Sequence, residues 1–254
     1  MSAGLTVLIS AFDEEEQLPA ALASVENWAA ETVVVVDPRT SDRTREVATG
    51  RGARVLEHPF ESSAAQSNWG LDQCRTDWVL VVDADERVSA GLREAAERAV
   101  AAPTCAAYGV RRDNFALGRR LRFGDWGSDE IVRLVHRAQA RFVERAVHGA
   151  VVAPSVGRIA GRLEHHTMRS VEQYVAKLHD YASRGAADLA AAGRGSTLLG
   201  ALLHAKWRFV RSFVFRLGFL DGSVGFLVAA LAAYGTFLKR AVAWKPPTPG
   251  RPRS

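Results

Sequence analysis

Cysteine is scarce in this chain of 254 residues, which contains only Cys74 and Cys105. Two cysteines are too few for a disulfide framework, and their spacing does not match that of a metal-ligand set. We therefore expect two buried free thiols in the reducing environment of the cytosol.

Three further absences narrow the range of functions. No Gly-x-Gly-x-x-Gly motif follows the first apolar segment, which counts against a Rossmann-fold oxidoreductase. The aromatic and basic stacking pattern of RNA-binding proteins is missing as well, so nucleic acid is not an expected partner. The apolar run Leu5–Ile9 is too short for a secretory signal and leads into the acidic residues 13–16. We therefore expect the N-terminal half of the chain to stay in the cytoplasm.

The composition is that of a globular protein with a basic C-terminal part. Hydrophobic residues make up 48% of the chain and charged residues 24%. The net charge is +5, and lysine and arginine are enriched from Lys206 onward. Because this basic part also contains apolar runs, it predicts attraction to an anionic membrane surface.

Apolar runs and helical segments alternate over the first hundred residues. The runs predicted as buried strands are 5–10, 32–36, 53–57 and 78–82. The segments predicted as helices are 14–28, 41–48, 63–73 and 89–101. This alternation is typical of an α/β protein with a doubly wound, mostly parallel sheet.

The pattern changes in the second half of the chain. Short β runs between residues 106 and 163 are expected to complete the sheet and to build one wall of a cleft. Helices are predicted over 170–192 and, with an unusually apolar composition, over 197–244. The expected organisation is an α/β domain at residues 1–195, a membrane-associating helical region at 196–245 and a basic disordered tail at 246–254.

The most informative stretch is the apolar run Trp78–Val82, which ends in Asp83, Ala84 and Asp85. Neighbouring side chains of a strand point to opposite faces, so the two aspartates share one face. Two like charges at the carboxyl end of a strand repel each other unless a divalent cation or a network of donors neutralises them. The carboxyl ends of the strands are also where open α/β sheets bind their ligands. The alternative is that both carboxylates brace the turn before a helix that starts at Ser89.

Motifs along nearly the whole chain carry a family resemblance. They are LTVLISAFDEEEQL at 5–18, VVVVDPRTSDRT at 33–44, His58-Pro59-Phe60 with Gln66 and Asn68, DWVLVVDADE at 77–86, Trp126, Asp129, Arg133, Leu134, His148, residues 165–177 with Tyr181, and 218–222. Together they resemble the family 2 glycosyltransferases of GT-A fold, above all the bacterial group that includes lipopolysaccharide-core β-glucosyltransferases. The resemblance implies a doubly wound, mixed α/β sheet with a C-terminal apolar and basic helical extension.

The resemblance also implies an inverting transfer of sugar from a nucleotide-sugar donor, with manganese (Mn²⁺) or magnesium (Mg²⁺) as cofactor. By this likeness Asp85 is a direct metal ligand, Asp83 reaches the ribose or a metal-bound water, and His165 completes the coordination. An ordinary surface or core histidine is the other interpretation of His165. The chemistry is consistent, because a leaving diphosphate needs charge neutralisation and hard oxygen ligands suit these metals.

Further site residues follow from the same likeness. Those expected at the donor are Ser10, Ala11, Phe12, Glu14, Asp37, Gln66, Asn68, Asp83 and Ala84. Those expected on the acceptor side are Trp126, Arg133 and Lys177. Simpler roles remain open for three of them, namely a helix N-cap for Asp37, a solvated helix start for Glu14, and an amphipathic helix face for Lys177 with Tyr181.

The sequence departs from the family at the general base. Relatives carry His-Glu where this chain has His148-Gly149, and glycine cannot take a proton from an acceptor hydroxyl. Asp129 is the first choice as a replacement, with Glu144 and His148 as the other candidates.

Two smaller departures concern the donor side. Pro38 and Arg39 follow Asp37 where relatives have small residues, so Arg39 could alter donor choice. Ser67 stands where relatives often have lysine.

These departures keep two other functions open. A polyprenyl-phosphate sugar synthase of the same fold is compatible with Gly149, because a phosphate acceptor is already ionised and needs no strong base. A glycosyltransferase-like protein that binds a nucleotide and transfers nothing is the alternative of another class. The retained aspartate pair argues against it, since two carboxylates without a metal repel each other.

The C-terminal region predicts attachment to the cytoplasmic face of the membrane. Residues 198–220 mix large apolar side chains with lysine and arginine, as in helices that lie in the membrane interface. The run Ser223–Leu238 is shorter than the roughly 20 residues that span a bilayer. Extending it includes Asp221, which is costly in hydrocarbon. Monotopic attachment is therefore expected, with a single span, a dimer interface or a plain core as alternatives. The acceptor would then be a lipid-linked or cell-envelope glycan.

Overall fold

A computed structural model describes residues 3–127, 129–144, 150–192 and 195–244. The chain divides into two compact units. The first unit contains residues 1–113 and 129–166, and the second contains 114–128 and 167–254. The division into residues 1–195, 196–245 and 246–254 stays a prediction.

The first unit begins with four parallel strands. They are β1 (Ala3–Ala11), β2 (Ala29–Val36), β3 (Arg54–Glu57) and β4 (Trp78–Asp83). They lie in the order β3-β2-β1-β4, with parallel pairing throughout. The helices of this part are α1 (Leu18–Ala23), α2 (Thr44–Gly50), α3 (Ser63–Gln73) and α4 (Ala90–Ala101).

Later strands make the sheet mixed. They are β5 (Glu86–Val88), β6 (Ala107–Ala116), β7 (Arg119–Arg120), β8 (Asp129–His136), β9 (Arg141–Val143), β10 (Ala150–Val152) and β11 (Val156–Met168). The sheet continues from β4 as β8-β6-β11-β5, with β7 beside β6. The pairs β4–β8, β6–β8 and β5–β11 are antiparallel. Strands β9 and β10 form a separate hairpin.

Both faces of the parallel strands are buried, which is why their sequences are continuously apolar. Val7 and Ile9 of β1 pack into one core, and Leu8 packs into another on the opposite face. Each fully buried side chain of this kind contributes about 1.5–3 kcal/mol. Cys74 is buried and Cys105 is partly buried, and both are free thiols.

Helix α1 is shorter than the predicted 14–28. It begins at Leu18 and ends at Ala23. Residues 14–17 are not helical, and the left-handed backbone at Asn27 (φ 55°) excludes helix near the predicted end. The prediction was therefore wrong at both ends.

Helix α4 approaches β11 very closely. Ser89 caps the helix, since its Oγ accepts from Leu92 N, and the same Oγ accepts from Arg162 N at 3.1 Å. Gly161 has φ +90°, and a Cβ there would lie 2.3 Å from Leu92 N. Only glycine fits at this position, because both the backbone conformation and the space require it.

The second unit is built around three long helices, α5 (Val171–Ala191), α6 (Leu198–Val210) and α7 (Gly222–Val242). A π-helical turn (Arg211–Phe215) follows α6, and a 3₁₀ turn (Gly218–Asp221) precedes α7. The core of this unit contains Ala116, Leu121, Met168, Leu178, Val224, Val228 and Leu231. The predicted helical segment 197–244 is thus interrupted, with a left-handed backbone at Leu217 (φ 59°).

Candidate active site

The carboxyl ends of β1, β2 and β4 bring several predicted donor residues to one edge of the sheet. Ser10 pairs with Val35 on one side and with Asp83 on the other. Ala11 pairs with Val36, so Asp37 follows directly beyond that pair. This edge is where open α/β sheets bind their ligands.

Asp83 belongs to a network of charged side chains around the buried Glu86. Arg133 Nη2 contacts Asp83 Oδ2 and lies 2.9 Å from Glu86 Oε1. The backbone N–H of Asp83 donates to Glu86 Oε2 at 2.9 Å. Arg112 Nη1 lies 3.4 Å from Glu86, and its Nη2 contacts Asp129. The network therefore runs from Asp83 to Asp129 through two arginines and Glu86.

Burial and charge act against each other in this network. Burial raises the pKa of Glu86, and the charge of Arg133 opposes this effect. Burial lowers the pKa of Arg133, but the carboxylates of Asp83 and Glu86 outweigh it and leave that pKa raised. Sequence reasoning assigned no role to Glu86 or Arg112. The signal for Glu86 was its place directly after the Asp-Ala-Asp motif.

Asp85 lies close to His165. The distance from His165 Nε2 to Asp85 Oδ2 is 3.4 Å, and both side chains are mostly buried. Pairing of β5 with β11 sets His165 opposite Glu86, and His166 N donates to Asp85 O at 2.9 Å. The register of two antiparallel strands thus brings together residues that are eighty positions apart.

The donor set suits a divalent metal in chemistry. The carboxylate of Asp85 suits Mn²⁺ or Mg²⁺, a diphosphate would supply further oxygens, and the imidazole of His165 adds a softer nitrogen ligand beside it. Asp83, the third predicted ligand, contacts Arg133 instead. Within the described ranges, no group of three or more His, Cys, Asp or Glu residues is arranged to hold a metal. The fit therefore rests on the pair Asp85 and His165.

Asp37 is 1% exposed and is paired with Arg39. Two bonds join the side chains, Nε to Oδ1 at 2.9 Å and Nη2 to Oδ2 at 2.7 Å. The backbone N–H groups of Arg39 and Phe60 also donate to this carboxylate, at 2.8 and 2.9 Å. The bonds from Arg39 outweigh burial and hold the pKa of Asp37 well below its usual range. The carboxylate therefore also braces the turn that follows β2.

Aromatic rings flank this pair. The guanidinium carbon of Arg39 lies 5.9 Å from the centroid of the Phe12 ring, and Phe12 is 51% exposed. Phe60 is exposed as well. Exposed rings beside a planar cation offer a surface on which a nucleobase can stack.

Other predicted donor residues are engaged with the protein. Gln66 is buried and bonds His58 through both ends of its amide. Asn68 exchanges two bonds with the backbone of Phe142, at 2.8 and 2.9 Å. Glu14 donates its backbone N–H to Thr44 Oγ1 at 2.8 Å. Ala84 is buried in the core. The donor roles of these four residues stay predictions.

Comparison with known proteins decides the family. The model described as "Glycosyl transferase family 2" matches residues 6–158, which is more than half of the chain. The chain belongs to glycosyl transferase family 2. It is therefore a glycosyltransferase, and the expectations of its family, its enzyme class and its mixed α/β sheet of GT-A type are confirmed.

Named relatives agree with the assignment. An uncharacterized glycosyltransferase of Rickettsia bellii is 28% identical over 95% of this chain and 87% of its own length. The lipopolysaccharide core biosynthesis glycosyltransferase LpsC of Rhizobium meliloti is 26% identical over 93% of this chain and 90% of its own.

A solved structure is also similar. It is glucosyl-3-phosphoglycerate synthase from Mycobacterium tuberculosis in complex with Mn²⁺, uridine diphosphate and phosphoglyceric acid. It is 18% identical, with a TM-score of 0.35. The match covers 45% of this chain and 43% of that chain, so this glycosyltransferase spans less than half of that structure's length.

The candidates for the general base of this glycosyltransferase differ in their surroundings. Asp129 pairs with Arg112 across strands β8 and β6, and its Oδ2 contacts the Arg112 side chain. Glu144 is exposed, just after β9. His148 and Gly149 lie outside the described residues.

Two predicted acceptor residues belong to the second unit. The ring of Trp126 meets Tyr174 edge-on at 5.4 Å between centroids. Lys177 Nζ lies 6.0 Å from the ring centroid of Tyr181 on the same helix. Arg133, the third, belongs to the charged network of the first unit. The acceptor roles of these residues stay predictions.

Proposed function

We propose that this family 2 glycosyltransferase is an inverting, metal-dependent enzyme. It moves a sugar from a nucleotide-sugar donor to a lipid-linked or cell-envelope glycan at the cytoplasmic face of the membrane. The observation that carries the proposal is the set of aspartates at the carboxyl ends of two parallel strands. Asp37 directly follows β2, Asp83 ends β4 and Asp85 comes two residues later, and β1 lies between these two strands.

In the proposal the nucleobase, the ribose and the diphosphate of the donor each have a matching group near this edge. Phe12, Phe60 and the Arg39–Asp37 pair form the surface for the nucleobase. In the proposal Asp83 binds the ribose or a metal-bound water, and its ion pair with Arg133 fixes its position. Asp85 and His165 hold the metal, and bound Mn²⁺ or Mg²⁺ supplies positive charge to the leaving diphosphate. Arg133 keeps Asp83 in place, because its guanidinium bonds Asp83 and Glu86 together.

Inversion requires a base on the acceptor side. Asp129 takes this role in the proposal, since it is the carboxylate at the start of β8 within the same charged network as Asp83. Its contact with Arg112 has to be exchanged for the acceptor hydroxyl before the proton moves.

That contact also favours a second candidate, a polyprenyl-phosphate sugar synthase. A phosphate oxygen attacks as an anion and needs no proton acceptor, so Asp129 can remain paired with Arg112. The two candidates differ in whether replacement of Asp129 stops the reaction.

Location at the membrane is supported by the second unit. Residues 218–242 form the one candidate spanning helix in the described chain, by length and composition. Many large apolar side chains of α6 and the turns after it are exposed, including Leu199, Leu203, Trp207, Phe215 and Leu220. Exposed apolar groups beside arginines fit a helix that lies in the membrane interface. The similarity to an enzyme of lipopolysaccharide core biosynthesis supports an envelope glycan as acceptor.

The proposal is tested by donor binding and turnover. A thermal-shift screen of nucleotide sugars with Mn²⁺ identifies the donor, and release of nucleoside diphosphate is then measured with Mn²⁺ and with a chelator. We expect metal-dependent release that Asp85→Ala abolishes. Ligand stabilisation without any release, across lipid and glycan acceptors, would instead assign a binding protein.

A further inference from the structure

In the second unit, three arginines surround a single carboxylate. Asp125 is 5% exposed at its side chain and lies 2.9 Å from Arg208, 3.3 Å from Arg211 and 2.7 Å from Arg216. These are the only ion pairs of the three arginines within the part of the chain that the structure describes. Three positive charges thus share one negative charge, which leaves an excess of two.

Two nitrogen atoms of these guanidinium groups also lack acceptors, although Arg211 Nη2 and Arg216 Nη1 donate to Asp125. Arg208 Nε and Arg211 Nε are buried and have no hydrogen-bond partner among the described residues. Arg208 Nε is near Asp125, but not in hydrogen-bond geometry. Burial, together with the charges of Arg211 and Arg216, lowers the pKa of Arg208, against the effect of Asp125. Buried donors without acceptors and cations that repel one another both call for an additional anion.

The backbone holds this cluster in an unusual conformation. Arg211 starts the π-helical turn, and such turns occur often at functional sites. Ser212 Oγ accepts from Asp125 N at 3.3 Å, and Gly124 N donates to Arg216 O at 2.8 Å. Leu217 then adopts the left-handed conformation at φ 59°. Strained backbone of this kind persists where the surrounding structure fixes it.

The same segment exposes large apolar side chains. The rings of Trp207 and Phe215 are 5.7 Å apart, and both residues are more than half exposed. Val214, which lies between Arg211 and Arg216 in the sequence, is also exposed. An anion that binds the arginines would therefore meet an apolar surface next to it. A phosphate attached to an acyl chain has this combination of groups.

We propose that Arg208, Arg211 and Arg216 form a binding site for the phosphate of an anionic membrane lipid. Arginine suits this ligand, because its planar fork bonds two phosphate oxygens at once. Trp207 and Phe215 enter the apolar layer beside the headgroup. The site rests on the membrane location in the proposed function, and it would orient the enzyme on the surface where its acceptor lies.

The test is binding of the full chain to vesicles at 0.1 M salt, measured by co-sedimentation. Vesicles of phosphatidylcholine with phosphatidylglycerol are compared with phosphatidylcholine alone. We expect the double variant Arg211→Gln/Arg216→Gln to bind the anionic vesicles at least about tenfold more weakly. The matched control Arg119→Gln/Arg184→Gln removes the same charge elsewhere in this unit and should stay within about twofold.

A second variant acts in the opposite direction. Asp125→Asn removes the competing carboxylate, so we expect several-fold tighter binding to anionic vesicles. If the arginines only stabilise the fold, this variant would lower both the unfolding temperature and vesicle binding. If Asp125→Asn fails to fold, vesicle binding is measured instead with the single variant Arg216→Gln, which changes the most exposed of the three arginines.

The outcomes separate the claims. If the double variant and its control lose vesicle binding equally, the specific site is wrong, but general attachment to the membrane is still supported. No binding of the unmodified chain to either vesicle would overturn the site together with the membrane location. If 10 mM inorganic phosphate raises the unfolding temperature through these arginines and the chain does not bind vesicles, the ligand is a soluble phosphate. That result would overturn the proposal of a lipid ligand. Sugar transfer is measured separately, by nucleoside diphosphate release.

Discussion

Arg112 and Asp129 stand opposite each other on β6 and β8, and their side chains form an ion pair. The carboxylate proposed as the general base is therefore occupied by a cation in this structure. Arg112 also reaches Glu86, so this carboxylate is linked through Glu86 and Arg133 to Asp83 at the end of β4.

Replacement of Asp129 distinguishes the two kinds of acceptor. If a hydroxyl is deprotonated by Asp129, Asp129→Asn should lower kcat by about 100-fold or more, with little change in KM. Glu130→Gln is the matched control, because Glu130 is the next residue in the strand and pairs with the exposed Arg158. Activity of Asp129→Asn close to the unmodified rate would point to a phosphate acceptor.

Asp85→Ala should remove metal-dependent turnover. We expect kcat to fall by at least about 100-fold, because the developing charge on the diphosphate loses its neutralising partner. Stabilisation by nucleoside diphosphate with Mn²⁺ in a thermal-shift measurement should disappear as well. Asp77→Ala, at an exposed carboxylate just before β4, serves as control and should keep both properties. A variant at Asp85 that retains Mn²⁺-dependent stabilisation would refute the ligand assignment.

Glu86→Gln should destabilise the fold. The change removes the negative charge that neutralises Arg133 and Arg112 in a buried place. We expect this to lower the free energy of unfolding by about 3 kcal/mol. Urea unfolding followed by circular dichroism measures this cost. Glu94→Gln removes an exposed glutamate from the ion pair with Arg98, and its effect should stay below about 0.5 kcal/mol. Equal effects of the two changes would contradict the buried network.

The pair of Asp37 and Arg39 should make stability depend on pH. The pKa of Asp37 is lower in the folded chain than in the unfolded chain, so its contribution is complete above about pH 5 and is lost as pH falls. The difference in unfolding free energy between the unmodified chain and Arg39→Gln should therefore shrink from pH 6 to pH 3. Arg43→Gln, which removes an exposed pair with Glu15, should show little difference at either pH. A constant gap for Arg39→Gln would exclude this linkage.

Exposed rings of the second unit should anchor the protein to membranes. Trp207→Gln with Phe215→Gln should weaken binding to lipid vesicles by roughly tenfold, since two large apolar surfaces no longer enter the interface. Val152→Gln with Val156→Gln changes exposed apolar residues of the first unit and is the control. Unchanged sedimentation of the ring variant with membranes would place the attachment elsewhere.

Local signals predicted several elements well. Helix α3 matches the predicted 63–73, and β4 differs from the predicted 78–82 by one residue. Ser89 and Ser170 cap α4 and α5, because a serine before a helical segment satisfies its first N–H groups by itself. These features depend on residues close together in the chain, which a sequence displays directly.

The charged network depends on pairing between distant strands. Glu86 and His165 become neighbours through the register of β5 with β11, and Arg112 meets Asp129 through that of β6 with β8. No local pattern contains such a register. Arg39 stood out in the sequence as a departure, but its two bonds to Asp37 follow only from the turn after β2.

The contact between Asp85 and His165 also depends on Gly161, a residue of β11 that has no functional group. A methyl group there would force β11 away from the first turn of α4, and His165 lies only four residues further along the same strand. An alanine at 161 would thus shift His165 relative to Asp85, although it touches neither residue, and it would weaken the metal binding proposed for this pair. The fold therefore requires glycine at 161, although this residue adds no side chain to the contact between Asp85 and His165.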